Sequence, residues 1–139
     1  MRKTLLLISV SALMIVPGLA AQQKAKASDV TRGKYIVERT GLCGDCHSPM
    51  DEKGNPLPGQ ALKGAALGFK ATVPVPDWVD VAPPIAGLPG WTEEQGVHFL
   101  MTGIAPSGKP ARPPMPQYRY NREEAEAIVA YLKSLGSGR

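Results

Sequence analysis

With 139 residues and a formal charge of +4, the chain has the size of one compact domain. Two of the cations, Arg2 and Lys3, fall in the first 21 residues, which hold no acid, so the rest of the chain carries only +2 and lacks the dense basic patch of a nucleic-acid binder. Thirteen of the 14 prolines crowd two stretches, Pro49–Pro89 and Pro106–Pro116, and exclude long helices and central strands from both.

In chain order, Arg2 and Lys3 give a positive start, Leu5 to Val16 is an almost unbroken apolar run, Pro17 and Gly18 break it, and Ala20 and Ala21 come next. This is the layout of a secretory signal peptide, with cleavage after Ala20 or Ala21, or later after Ala27. The run is short of the ~20 residues that a membrane span needs. No cysteine follows it, so a lipoprotein anchor is not supported. Residues 1–21 are therefore read as the signal peptide, 22–28 as a flexible Gln/Ala/Lys/Ser lead-in and 29–139 as the domain. The signal places the mature chain outside the cytoplasm, with no stable membrane span once it is removed.

A first helix is predicted from about Asp29, a plausible N-cap, to Arg39, with Gly41 as its stop. A second runs over Glu93–Thr102. Thr92 and Gln95 form a capping-box pattern, Val97, Leu100, Met101 and Ile104 form one apolar face, and Gly103 ends it. A third runs over Arg122–Leu135, with a weaker cap from Asn121 and Glu124 and a stripe of Ala125, Ile128, Val129, Leu132 and Leu135. No alternating pattern is long enough for a sheet. The fold class is all-α, three main helices joined by long Pro/Gly-rich loops. Irregular stretches this long in a small domain need a surface to pack on, which a large cofactor would supply.

Cys43-Gly44-Asp45-Cys46-His47 carries the chemistry. Cysteines three apart share one side of a helical turn, so both sulfurs can reach the two vinyl groups on one edge of a porphyrin. The adjacent histidine is then carried over the macrocycle as proximal iron ligand, which is the logic of c-type haem attachment. Cys43 and Cys46 are the only cysteines, enough for one haem. A thioredoxin-like pair would need a βαβ context, a closed zinc site would need more donors than His47 and His98 supply, and a simple disulfide leaves the histidine unexplained.

Four side chains are candidates for the second axial position. Met50 is too close to His47 to reach the opposite face of the haem, Met101 lies on a core stripe, and His98 points off that stripe. Met115, in Arg112-Pro113-Pro114-Met115-Pro116, sits where prolines on both sides restrict the backbone, which suits a thioether held against iron. Bis-histidine ligation through His98 and an open site are the alternatives. Methionine raises the potential and fills the sixth position, favouring electron transfer over catalysis.

From these motifs the chain resembles a class I mono-haem cytochrome c of the bacterial periplasmic type over about Asp29 to Leu135. The resemblance is carried by the Cys43–His47 motif, by Pro114-Met115-Pro116-Gln117-Tyr118-Arg119, and by the final Ala130-Tyr131-Leu132-Lys133-Ser134-Leu135. It implies a small cytochrome c fold wrapped around one haem c and its iron, with Cys43 and Cys46 as thioethers and His47 and Met115 as iron ligands. It implies that the first and last helices cross, with Gly33, Ile36 and Val37 against Ile128, Tyr131 and Leu132. It implies that the proximal histidine donates to a proline carbonyl in the following loop, for which Pro56 and Pro58 are candidates. The Pro83-Pro84-Ile85-Ala86-Gly87-Leu88 run resembles a loop packed near the haem. Arg112, Trp91 and Tyr118 are possible propionate contacts, although packing is the favoured reading of each. The expected function is single-electron transfer, not catalysis, in an exported respiratory or dehydrogenase-linked chain. Its partners are then redox proteins, a donor dehydrogenase and an acceptor oxidase or carrier. A haem enzyme or gas-binding sensor with an open sixth position is the alternative.

Overall fold

The computed structural model describes residues 29–136, so the expected signal peptide (1–21) and lead-in (22–28) lie outside the described residues, as do 137–139. Among the described residues, no helix is long and apolar enough to cross a membrane.

Helix α1 covers residues 29–35 and winds into a wider π-helical turn, Ile36–Thr40. It thus ends one residue beyond the predicted Arg39, and the reason is local. The Thr40 hydroxyl donates to the Ile36 carbonyl (3.1 Å) and the Gly41 N–H donates to the same oxygen (2.7 Å), so one extra residue is wound into the last turn. Ile36 and Val37 on this turn are buried. Next comes α2, the single turn Gly44–His47. Helix α3, Glu93–Thr102, has both halves of its Thr92/Gln95 capping box (3.2 and 2.9 Å) and stops at a left-handed Gly103. Helix α4, Arg122–Ser134, is capped by Asn121 and Glu124 in the same way (2.9 and 3.4 Å).

The core is where α1 and α3 meet α4. Ile36, Val37, Leu62, Ile128, Tyr131 and Leu132 form one buried cluster; Val97, Ala125 and Val129 form a second, with Leu88, Leu100 and Tyr120 packed against both. The α1–α4 crossing is close because residue 33 lacks a side chain: a Cβ there would fall on the Ala127 carbonyl and lie 2.9 Å from the Tyr131 Cβ. The α4 stripe is buried as its periodicity requires except for Leu135, which lies just past the last turn and is 40% exposed.

A two-residue antiparallel ribbon, β1 (Ala65–Ala66) with β2 (Val81–Ala82), pairs Ala65 with Ala82 and Ala66 with Val81. Two residues are too few to leave an alternation in the sequence. The ribbon nevertheless sets the position of everything after it. Gly64, just before β1, has φ +84°, and a Cβ there would lie 2.8 Å from the Pro84 nitrogen, so the turn needs glycine. Beyond β2, the N–H groups of Ile85 and Ala86 both reach the Leu62 carbonyl (2.9 and 3.0 Å) and that of Gly87 reaches the Leu132 carbonyl (2.8 Å), fastening this loop onto α4.

Candidate haem centre

The end of α1 decides where the Cys43–His47 motif begins. The Cys43 N–H donates to the Val37 carbonyl (3.0 Å), and Leu42, at φ 48°, swings the chain from the π-helical turn into α2. Left-handed backbone at a leucine is costly and persists only where its surroundings hold it. Cys43 then caps α2, and the His47 N–H closes the turn on the Cys43 carbonyl (2.9 Å). Both cysteines and the histidine therefore sit on one turn, with the sulfurs not joined to each other. Burial pushes the Cys43 thiol up to about 11, so it stays protonated at neutral pH. A redox-active pair of the thioredoxin kind depends on the opposite shift.

His47 is 6% exposed, and the chain beyond it engages it twice. Its carbonyl accepts the Gly64 N–H (2.7 Å), and its Nδ1 lies 2.7 Å from the Pro83 carbonyl oxygen. A carbonyl only accepts, so the ring proton is on Nδ1 and Nε2 keeps its lone pair. Burial lowers the imidazole's pKa, against the opposing pull of Pro83, and so favours the neutral form that binds metals. The buried Ser48 hydroxyl accepts the Leu62 N–H (2.9 Å), which fastens the next residue as well.

The proline that meets His47 is thus Pro83, not Pro56 or Pro58. The nearer prolines are drawn off by a local turn. The Asp51 carboxylate accepts the N–H groups of Lys53 and Asn55 (2.9 and 2.8 Å), Met50 bridges Pro56, and the Leu57 N–H reaches the Pro49 carbonyl (2.9 Å). Residues 49–57 close on themselves, and the β1–β2 ribbon returns Pro83 to the histidine. A backbone acceptor 36 positions away carries no signature in side-chain identity.

Met115 is partly buried on a separate loop. That loop is held by the Val79 N–H on the Pro113 carbonyl (2.8 Å), by Arg112 Nε on the Asp77 carbonyl (3.2 Å) and by the Tyr118 hydroxyl on the Gly41 carbonyl (2.7 Å). The last bond links the Met115 loop to the segment that leads into Cys43. Burial raises the Tyr118 phenol to about 12, so it remains a donor at neutral pH. Of the other methionines, Met101 packs against Val97, Ala125 and Val129, and Met50 lies in the local turn. His98 is exposed on α3. Trp91 meets Phe99 edge to face, 5.2 Å between ring centroids.

A family model described as Cytochrome c matches residues 30–136. The chain belongs to the cytochrome c family. Among curated proteins, this cytochrome is similar to the fructose dehydrogenase cytochrome subunit of Gluconobacter japonicus, 26% identical over 112 residues, which is 77% of this chain and 22% of the relative. It is similar also to the cytochrome c subunits of quinone alcohol dehydrogenases from Gluconobacter oxydans (31% over 97 residues; 65% and 20%) and Gluconacetobacter polyoxogenes (31% over 123 residues; 77% and 24%). The chain thus spans less than a quarter of the length of these relatives.

Membership of the family makes the chain an electron-transfer protein with covalently bound haem c and its iron. The residues present fit that group. The donor set of two thiols and a neutral, oriented imidazole is the right chemistry on one turn. The indole Nε1 of Trp78 is also buried without a hydrogen-bond partner, although buried N–H groups are nearly always paired. Its neighbours Asp77 and Val79 are the residues that hold the Met115 loop, so this donor without a protein partner lies beside that loop, where an acidic edge of the cofactor would satisfy it. Sequence alone does not single out Trp78, because a tryptophan in a proline-rich loop reads first as packing, and Trp78 does meet Phe69 edge to face (6.0 Å).

Proposed function

We propose that this cytochrome is an exported single-electron carrier with one haem, bound through thioethers from Cys43 and Cys46 and ligated by His47 Nε2 and the Met115 sulfur. The observation that carries the reading is the 2.7 Å contact of a buried His47 Nδ1 with the Pro83 carbonyl, one residue after the second cysteine. It fixes the tautomer, aims Nε2 and strengthens it as a donor to iron. Two cysteines in the whole chain match one attachment site. Bound haem supplies a one-electron couple; the protein's part is to hold both axial donors still and to exclude water, so that oxidation and reduction need little rearrangement.

Residues 1–21 act as the signal peptide, and 22–28 as a flexible lead to the domain of 29–139, which works in the periplasm. The relatives are cytochrome subunits of dehydrogenases, which supports a dehydrogenase as electron donor and an oxidase or a second carrier as acceptor. The test begins with protein from a host able to attach haem, run on a denaturing gel and stained for haem. A stained band in the wild type and none in the Cys43→Ser/Cys46→Ser variant is expected. The reduced wild type should not bind carbon monoxide at neutral pH, and rapid, complete binding would replace the carrier reading with an open-site cytochrome.

A further inference from the structure

We propose that Tyr118 is a positioning residue for the sixth iron ligand: its hydroxyl latches the Met115 loop to the turn that presents Cys43. This rests on the reading of Met115 as ligand and adds what holds it there. Tyr118 lies three residues after Met115, and its Oη donates to the Gly41 carbonyl at 2.7 Å, across 77 residues of sequence. Gly41 is a fixed point, since its own N–H closes the π-helical turn on Ile36 (2.7 Å) and the Cys43 N–H closes on Val37 (3.0 Å).

The Tyr118 ring stacks on Tyr120 (centroids 5.1 Å apart, planes 20° apart). Tyr120 is in turn anchored by its N–H on the Leu100 carbonyl (3.2 Å) and by both core clusters. The phenol therefore reaches Gly41 from a rigid platform. On the N-terminal side of Met115, the Val79–Pro113 bond (2.8 Å) holds the loop. On the C-terminal side, the corresponding tether is Tyr118. Methionine is a weak ligand, so its hold on the iron depends on how firmly the loop is kept closed, and swinging Met115 away breaks the tyrosine bond.

The readout is imidazole binding to the oxidised holoprotein, where imidazole competes with the sixth ligand. Tyr118→Phe keeps the stacked ring and loses the donor. Its imidazole affinity should rise about fivefold, the equilibrium equivalent of about 1 kcal/mol for one hydrogen bond, while Tyr120→Phe should match the wild type. p-Aminophenylalanine at position 118, which restores a donor, should bring the affinity back. A purely structural tyrosine would lower the melting temperature and leave imidazole affinity alone; that result, or an equal rise in Tyr120→Phe, overturns the latch. Met115→Ala separates the two readings. If it binds imidazole no better than the wild type, the ligand assignment itself fails. If it binds far better while Tyr118→Phe does not, the latch alone fails. Should Tyr118→Phe yield no holoprotein, amide exchange on the wild type decides: saturating imidazole should accelerate exchange at residues 41–43, and unchanged protection there overturns the proposal.

Discussion

Truncating Met101 removes a side chain packed against the apolar cluster of Val97, Ala125 and Val129. Met101→Ala is therefore expected to cost about 2 kcal/mol, the low end for a partly buried methionine, in urea titrations of the holoprotein, with the reduction potential unchanged. Met115→Ala should do the reverse. Its loop keeps the backbone bond at Pro113 and the Tyr118 hydroxyl's bond to Gly41, so stability should change little, while the potential falls and the reduced protein binds carbon monoxide. Equal potentials for the wild type and Met115→Ala would defeat the ligand assignment. The two methionines look alike in composition, and what separates them in the sequence is context, a helical stripe against a run of prolines. That context was legible. The partner of His47 was not, since Pro83 serves through its carbonyl, which every residue possesses, and only the return of the chain through the β1–β2 ribbon selects it.

Two of the points where helix α1 meets helix α4 respond to different tests. At Gly33 the backbone of α4 fills the space a side chain would need, so Gly33→Ala should cost on the order of 3 kcal/mol by forcing the helices apart. Guanidinium unfolding of the holoprotein measures it, and a loss within error of zero would mean that the crossing is looser than these distances imply. A turn away, Glu38 accepts from Lys34 Nζ (2.6 Å) and from the Tyr131 hydroxyl (2.7 Å), and these two bonds, with Lys34 the larger influence, hold its carboxyl below the ordinary 4.5. A depressed folded-state pKa gives stability that is present above the unfolded value and lost as pH falls through the folded one. Acidification from about 4.5 downward should therefore weaken the wild type more steeply than Glu38→Gln, as read from melting temperature against pH. The helices themselves were visible in the sequence through caps and apolar spacing. The π-helical turn was not, because it depends on which donors Thr40 and Gly41 aim at Ile36 once the turn is packed.

Across the whole molecule, residues 49–90 and 103–120 contribute little regular structure: most of their backbone bonds close short local turns, and single ties such as Gly64 to His47, Val79 to Pro113 and Gly87 to Leu132 fasten those turns to distant segments. The Trp78 indole N–H has no hydrogen-bond partner among the described residues. A small chain organised this way depends on its cofactor for folding free energy. The Cys43→Ser/Cys46→Ser variant is therefore expected to lose most of its helical circular dichroism and to unfold without a cooperative transition. A native-like melting curve for it would show that the polypeptide carries its own core. The all-α class and the haem motif could be read from the sequence because both rest on short-range spacing. The course of the long loops could not, since it is set by contacts tens of residues apart.

His47 is tied through its carbonyl to Gly64 and through its ring to Pro83, and with 6% of its surface exposed it lies behind the segment that makes those ties. Residues 64–83 thus form a strap that fixes the imidazole at both ends, while Cys43 and Cys46 beside it stay partly exposed. Haem attached before this strap closes would have the imidazole fixed against it by the closing itself, so the strap would act as the last fastening of the site.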